Sequence, residues 1–414
     1  MRFCIHRAAS QIGGNCIEVQ ACGSAILLDL GLPLDAERAC TDLLPSLQGI
    51  AKGETGDLLA VVLSHPHQDH YGLLSCANPE LPVYIGSGAE RLLRAAAFFT
   101  SSAQIPQRTI TYEAFRPFQV GPFKITAFPV DHSAYDAYCL LIEAEGKRLL
   151  YSGDFRFHGR KRRLMNSILK RLPKNVDVLL MEGTVVGRDD AESRTTEAEL
   201  ETLVVNAIKQ HKSLALAYFS PQNVDRLVTF FRAALRTGRS LVVDVYTAHI
   251  LDALELSSLP SAQNSHDIRV FLPKQQKIQI VRAGCFDLVE PYRQRRIFSS
   301  ELCASPERWL CLFRPSMCRD FESMSCLTGA VLLYSLWPGY LKKDGGELQR
   351  WAERNGVSIQ IHHTSGHASL PDLIRFAESV APKMLVPIHS TQPERFTQSF
   401  RNVNVVGDGE WIDV

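Results

Sequence analysis

One stretch constrains this chain more than any other. Ser64-His65-Pro66-His67-Gln68-Asp69-His70 places four metal-ligating side chains within six residues. It follows the apolar run Leu58-Leu59-Ala60-Val61-Val62-Leu63, short enough and β-branched enough to predict a buried strand. Pro66 opposes helix at the residue before it, so the ligands begin on a turn at the strand's end. Imidazole and carboxylate suit zinc or manganese. In a core each of these groups would need its own polar partner. A metal site therefore explains the pattern better than an exposed loop that collected histidines by accident.

At 414 residues and 45% hydrophobic, the chain can bury one large core or two ordinary ones. Its 45 Lys+Arg nearly balance 44 Asp+Glu. Global charge advertises no nucleic-acid partner, and any such surface would be a local patch. The eleven cysteines are odd in number and scattered, which points to reduced thiols rather than a disulfide scaffold. Cys303, Cys311, Cys318 and Cys326 lie closer together, but their spacing fits no zinc knuckle. Met1 to His6 lacks the apolar core of a signal peptide, and no apolar run reaches transmembrane length. A cytoplasmic protein without a membrane partner is expected.

Other strands end in the same way. Ser24 to Leu30 carries Asp29, Phe123 to Val130 leads into Asp131-His132, and Leu149-Leu150-Tyr151 leads into Asp154. Asp177 to Met181 leads into Glu182, and Lys383 to Ile388 leads into His389. Several strands delivering ligand-type residues at the same end predict one active-site edge of a layered α/β fold. From about Gly187 the texture changes: an acidic and polar run, Asp189 to Glu201, opens a helix reaching about Gln210. A strand (Leu214 to Phe219), a helix stopped by Gly238 and another strand (Leu241 to Tyr246) follow. This β-α-β unit implies a second, smaller parallel sheet. Near residue 357 the first texture returns, with a strand leading into His362-His363-Thr364-Ser365-Gly366-His367. The expectation is one layered domain built from residues 1–187 and 356–414, interrupted by an inserted domain, 188–355.

The candidate ligands are His65, His67, Asp69, His70, His132, Asp154 and His389. They are too many for one tetrahedral zinc and about right for two divalent ions sharing a carboxylate. Zinc is the default and manganese the alternative. Such a pair suits phosphoester or amide hydrolysis. His367 is an extra imidazole, able to donate a proton to a leaving alkoxide, and Glu182 could orient it. His362 and His363 read as structural.

At this point the chain resembles a known family. His65-Pro66-His67-Gln68-Asp69-His70 is similar to the metallo-β-lactamase signature H-x-H-x-D-H, and Asp29, His132 and Asp154 fall where its other motifs fall. The inserted domain followed by His367 and His389 resembles the β-CASP branch of nucleic-acid-processing nucleases, nearest to ribonuclease J-type and polyadenylation-endonuclease-type members. Ser152-Gly153-Asp154-Phe155-Arg156, Leu180-Met181-Glu182-Gly183-Thr184, Thr364-Ser365-Gly366-His367-Ala368 and Val386-Pro387-Ile388-His389 are similar to family motifs in the expected order. The resemblance implies a metallo-β-lactamase αββα sandwich with an inserted β-CASP α/β domain. It implies that His65, His67 and His132 hold one metal, that Asp69, His70 and His389 hold the other, and that Asp154 bridges. Asp29 would support the ligands, and Glu182 would support His367 near the scissile phosphate. His367, Glu182, Asp69 and Asp29 are thus the candidate catalytic residues.

A histidine at 389 is what RNA-directed members carry, which favours RNA over DNA; the substrate is expected to be single-stranded RNA, cut from an end or internally. Typical ribonuclease J continues into a further domain, expected to be missing after Val414, so the family's tetramer is in doubt and a homodimer is the open alternative. Candidates for contacting substrate phosphate are Ser365 and Gly366, Arg156 and Arg160 with the adjoining Lys161, Arg162 and Arg163, and Ser220 before a helix N-terminus. The alternative reading of the basic run is a solvated face. The rival functions are a small-molecule ester, thioester or lactone hydrolase of the same superfamily, and an RNA-binding subunit that does not cut.

Overall fold

A computed structural model describes residues 1–100, 108–188 and 195–414. The first six residues of the expected acidic run, 189–194, lie outside them. The chain divides into two compact units, one of Met1–Arg194 with Gly366–Val414 and the other of Thr195–Ser365.

The first unit contains two sheets among its described residues. The larger has seven strands in the order Trp411–Asp413, Arg2–Arg7, Cys16–Ala21, Ser24–Leu28, Leu58–Val62, Val83–Gly86 and Thr109–Tyr112. The other has six, in the order Met384–Ile388, Val178–Glu182, Lys147–Tyr151, Ala137–Ala144, Phe123–Val130 and Phe118–Val120. Alternation along the strands builds the layer between them. Phe3, Ile5, Ile17, Val19, Ile26 and Leu28 meet Phe123, Ile125, Leu140, Ile142, Leu149 and Leu180 in one buried cluster. The opposite face of the six-stranded sheet presents Phe128, Cys139, Leu141, Leu150 and Leu179. It is covered by Met165 and Ile168 of one helix, Arg162–Ile168, and by Leu373 and Phe376 of another, Leu370–Val380. The helix Ser87–Ala97 buries Leu92, Leu93 and Ala96 beside the strands Val83–Gly86 and Thr109–Tyr112. The layering is helix, sheet, sheet, helix: an αββα sandwich.

Both sheets mix strand directions, and their parallel parts decide where polar groups emerge. Ser24–Leu28, Leu58–Val62, Val83–Gly86 and Thr109–Tyr112 pair in parallel. So do Lys147–Tyr151, Val178–Glu182 and Met384–Ile388. Parallel strands share their carboxyl ends, so the residues that follow them in sequence collect along common edges.

The second unit is a six-stranded sheet with parallel pairings throughout, in the order Ile268–Phe271, Ser240–Asp244, Trp309–Leu312, Ala215–Tyr218, Val331–Tyr334 and Ser358–Ile361. Its central strands are near-continuously apolar, as strands covered on both faces are. Thr196 opens its first helix, Glu197–Lys209, with a reciprocal capping box to Glu199. The boundary of the returning segment shifts. Ser358–Ile361 pairs with Val331–Tyr334, so this strand belongs to the second unit, and the return to the first falls at residue 366 rather than 356. Its composition resembled the first unit's strands, but ladder pairing decides membership. Among the described residues no helix is long and apolar enough to cross a membrane.

Candidate metal centre

At the carboxyl edge of the first unit, eight imidazoles and carboxylates converge. His65, His67 and His132 form one group; His65, His70 and Asp154 a second; Asp69, His70 and His389 a third; Asp154, His367 and His389 a fourth. Within each group the candidate ligand atoms lie within 4.8 Å of one another. Local backbone explains the convergence. The strand Leu58–Val62 leads through Leu63 into Ser64 and His65, His67 sits extended at ψ 146°, and a single helical turn, Gln68–Tyr71, carries Asp69 and His70. Gly31 lets this turn pack closely, because a Cβ there would lie 1.8 Å from the Asp69 carbonyl oxygen. Gly153 adopts φ +54°, which swings Asp154 out of its strand direction at little cost, and a Cβ there would meet the Tyr138 carbonyl oxygen at 2.7 Å. Asp29 and His389 themselves take left-handed φ of 60° and 50°. Non-glycine residues adopt this region sparingly, and its cost is tolerated where a site demands the geometry.

The distances are short. His132 Nε2 lies 3.1 Å from His67 Nδ1, and His70 Nε2 lies 3.2 Å from Asp154 Oδ2. His65 Nε2 is 3.7 Å, and His389 Nε2 3.8 Å, from the same Asp154 oxygen. His389 Nε2 is also 3.8 Å from Asp69 Oδ2. Four of these residues, His65, His70, Asp154 and His389, are at most 1% exposed. Three buried atoms within the cluster have no hydrogen-bond partner among the described residues: His65 Nε2, His389 Nε2 and Asp154 Oδ1. Buried polar atoms ordinarily find partners. Lone pairs left over and pointing into one cluster, on imidazole and carboxylate, fit divalent cations.

Electrostatics divides the histidines. Burial pushes His65 and His132 well below the ordinary imidazole value, holds His67 down to about 4, and lowers His389. His70 goes the other way: burial opposes its charge, but Asp154 and Asp29 outweigh it and raise it well above. Burial would also raise Asp154, yet the facing His389, His70 and His367 hold it well below the carboxylate range. His367 is opposed by burial and carried up to about 9 by Glu182 and Asp154. Its Nδ1 donates to Glu182 Oε2 at 3.0 Å, with Thr184 Oγ1 at 3.1 Å. Glu182 is itself fixed by the backbone N–H groups of Phe155, Thr184 and Ala368. Gly366 contributes its carbonyl oxygen, which accepts from His132 Nδ1 at 2.6 Å.

Asp29 is fully buried and accepts from Ser64 N–H, Ser64 Oγ and His70 Nδ1, each at 2.7 Å, and from Tyr151 OH at 2.6 Å. Sequence reasoning named Asp29 but missed Tyr151 and also Asn15, whose Oδ1 accepts from His389 Nδ1 at 2.7 Å. Asn15 follows the glycine pair of a turn, a weak signal. Tyr151 ends an apolar strand and carries no signal.

One of the expected phosphate contacts is corrected. Arg156 is 0% exposed and its guanidinium faces the buried Asp131, with Nε 3.3 Å from Oδ1, so it cannot reach a substrate backbone. Ser220 precedes the helix Val224–Arg236, and three of the donors there are engaged. Arg226 N–H goes to the Asn223 side chain, Asn223 N–H to Ser220 O, and Gln222 N–H to Ser220 Oγ. Ser365 belongs to the second unit, whereas Gly366 begins the returning segment of the first. Arg160 is half-buried, while Arg162 and Arg163 are exposed.

Several known proteins resemble this chain. Residues 38–218 match the family described as a beta-lactamase superfamily domain. The chain is similar to ribonuclease J of Mycoplasma genitalium, 21% identical over 401 residues covering 92% of this chain and 66% of that protein. It is also similar to ribonuclease J of Mycobacterium tuberculosis, 23% identical over 404 residues covering 92% of this chain and 67% of that protein. It spans about two thirds of the length of these curated relatives. A crystal structure of a protein of unknown function from Enterococcus faecalis shares the fold, with a TM-score of 0.79, 20% identity and 99% of each chain covered. Sandwich, domain match and relatives point the same way: residues 38–218 carry a beta-lactamase superfamily domain, and the chain as a whole is similar to ribonuclease J proteins.

Proposed function

We propose that this chain is a metal-dependent ribonuclease that hydrolyses phosphodiester bonds of single-stranded RNA. The observation that carries the proposal is the set of unpartnered lone pairs on His65, His389 and Asp154, clustered beside His367, whose Nδ1 lies 3.0 Å from Glu182 Oε2. In this reading His65, His67 and His132 hold one divalent ion, and Asp69, His70 and His389 the other, with Asp154 shared. Zinc is the default for these ligands and manganese the alternative. Bound there, two divalent ions would acidify a water toward neutrality and offset the charge that builds on the phosphoryl oxygens.

The chain's own residues do the rest. Burial keeps His65, His67 and His132 neutral at pH 7, so their lone pairs are available. Asp154 and Asp29 raise His70 well above the ordinary imidazole value, so holding an ion there would require it to give up a proton. His367, held charged by Glu182 and Asp154, stands ready to protonate the departing alkoxide. RNA as the substrate is supported by the ribonuclease J relatives. The exposed Arg162 and Arg163, eight and nine residues beyond Asp154, could neutralise phosphates. The cysteines are free thiols, which supports a reducing compartment, the cytoplasm.

The test uses 5′-monophosphorylated, end-labelled single-stranded RNA with zinc or manganese, and single-stranded DNA alongside. Cleavage of RNA that needs the ion and falls about 10²- to 10⁴-fold in His367→Ala supports the reading. Mononucleotides or internal fragments then define its mode. Hydrolysis of a thioester or lactone but not RNA would replace it with a small-molecule hydrolase. A metal-loaded wild type that binds RNA without cutting would replace it with a scaffold.

A further inference from the structure

The two histidines assigned to the second ion, His70 and His389, are joined behind the site by a hydrogen-bond chain whose directions are all determined. Asn15 Oδ1 lies 2.7 Å from His389 Nδ1, and Asn15 Nδ2 lies 3.2 Å from Tyr151 OH. Tyr151 OH lies 2.6 Å from Asp29 Oδ2, which lies 2.7 Å from His70 Nδ1. Asp29 as a carboxylate only accepts, so Tyr151 and His70 must donate to it. Because Tyr151 gives its proton to Asp29, its oxygen is the acceptor for the Asn15 amide. That orients Asn15 with its carbonyl toward His389, which must therefore donate from Nδ1. Both imidazoles are left with Nε2 facing the site, the atoms that cluster with Asp69. Asn15, Asp29 and Tyr151 are each 0% exposed, so water does not compete for these bonds.

We infer that Asn15 and Tyr151 are positioning residues for the second ion, setting the orientation and tautomer of His389 through one relay anchored on Asp29. The inference rests on the two-ion reading. The relay reaches one ion selectively, since His67 and His132 lie outside it and His132 Nδ1 is held instead by the Gly366 carbonyl. His65 touches it only through Ser64, whose Oγ lies 2.9 Å from His65 Nδ1. If Tyr151 loses its hydroxyl, the Asn15 amide has no acceptor and can turn its N–H toward His389. That would reward the wrong tautomer.

The experiment equilibrates full-length wild type, Tyr151→Phe, Asn15→Leu and Asn15→Asp with zinc in graded chelator and measures zinc per chain by mass spectrometry. Wild type should hold two ions. Tyr151→Phe and Asn15→Leu should release one ion at about 10- to 100-fold weaker affinity and keep the other unchanged, the usual effect of removing a partner behind a ligand. Asn15→Asp keeps an acceptor for His389 Nδ1 and should be milder than Asn15→Leu. Tyr151→Phe removes one oxygen atom and decides the matter should Asn15→Leu fail to fold. Equal weakening of both ions, or a lower melting temperature with both affinities unchanged, would overturn the inference. A wild type that binds fewer than two ions would sink the two-ion reading itself, and the inference with it.

Discussion

Two sheet edges in this molecule concentrate buried polar groups, and they are built on opposite principles. In the inserted unit Asp244 ends its strand at 1% exposure, where it accepts from Thr247 N–H, Thr247 Oγ, Gln276 and the guanidinium of Arg314. Arg226, also 1% exposed, donates to Glu197, to the carbonyl and hydroxyl of Ser335 and to the Thr364 carbonyl. Each of these buried charges is met by an opposite one. In the first unit the equivalent edge gathers imidazoles and carboxylates but leaves His65 Nε2, His389 Nε2 and Asp154 Oδ1 without partners. An unmet buried polar atom costs about 1–3 kcal/mol, so three within one cluster mark a place arranged for something other than stability. The presence of buried charge does not distinguish a site from a structural network. The deficit of partners does.

That contrast can be broken from either side. The largest effect is expected from His67→Ala. It should lower RNA cleavage by about 10³-fold or more, since several kcal/mol of transition-state stabilisation go with an ion. The denaturant midpoint of the chelated protein should barely move, and a large loss of stability would show that the edge is structural after all.

Arg314→Met is the mirror experiment. Leaving Asp244 buried without its cation should cost about 3 kcal/mol, read as faster amide exchange along the strand Ser240–Asp244, with zinc content unchanged. A loss of zinc would erase the distinction between the two edges.

Acid sharpens the same point more gently. Burial alone would raise the Asp244 carboxyl, but Arg314 outweighs it and holds it below its ordinary 3.8. A carboxyl lowered on folding adds stability that is present above 3.8 and lost as pH falls through that value toward the folded one. Asp244→Asn should therefore flatten the acid limb of the unfolding curve, and an unchanged limb would mean the pair adds nothing. The smallest effect belongs to the exposed arginines. Arg162→Ala with Arg163→Ala should reduce the salt slope of RNA binding by about 2, roughly one per phosphate contact. No change would return them to the solvated face.

How much could be read from the chain depended on whether a residue's role lay along the sequence or across it. His65, His67, Asp69 and His70 were legible because a strand, a turn and one helical turn hold them together locally. Asp29, His132, Asp154, Glu182 and His389 were legible one step further, because apolar strands that end in ligand-type residues declare a shared edge. Arg156 shows the limit. It stands four residues before a basic run and reads as part of it, yet its side chain is fully buried with its guanidinium against Asp131.

The chain by itself determined the elements and the inventory: which segments are apolar enough to become strands, and which ligands each carries at its end. It also determined an insertion between two stretches of like texture. Tertiary structure alone decided which strand joins which sheet, as with Ser358–Ile361, and which buried groups meet. Asn15, Tyr151 and His389 are separated by 136 and 238 positions along the chain and become neighbours only when the two sheets close on each other. The physical reason is range. Propensity and periodicity act over a few residues, whereas hydrogen-bond satisfaction in a dry interior is settled by whatever the packed layers bring within 3 Å or so.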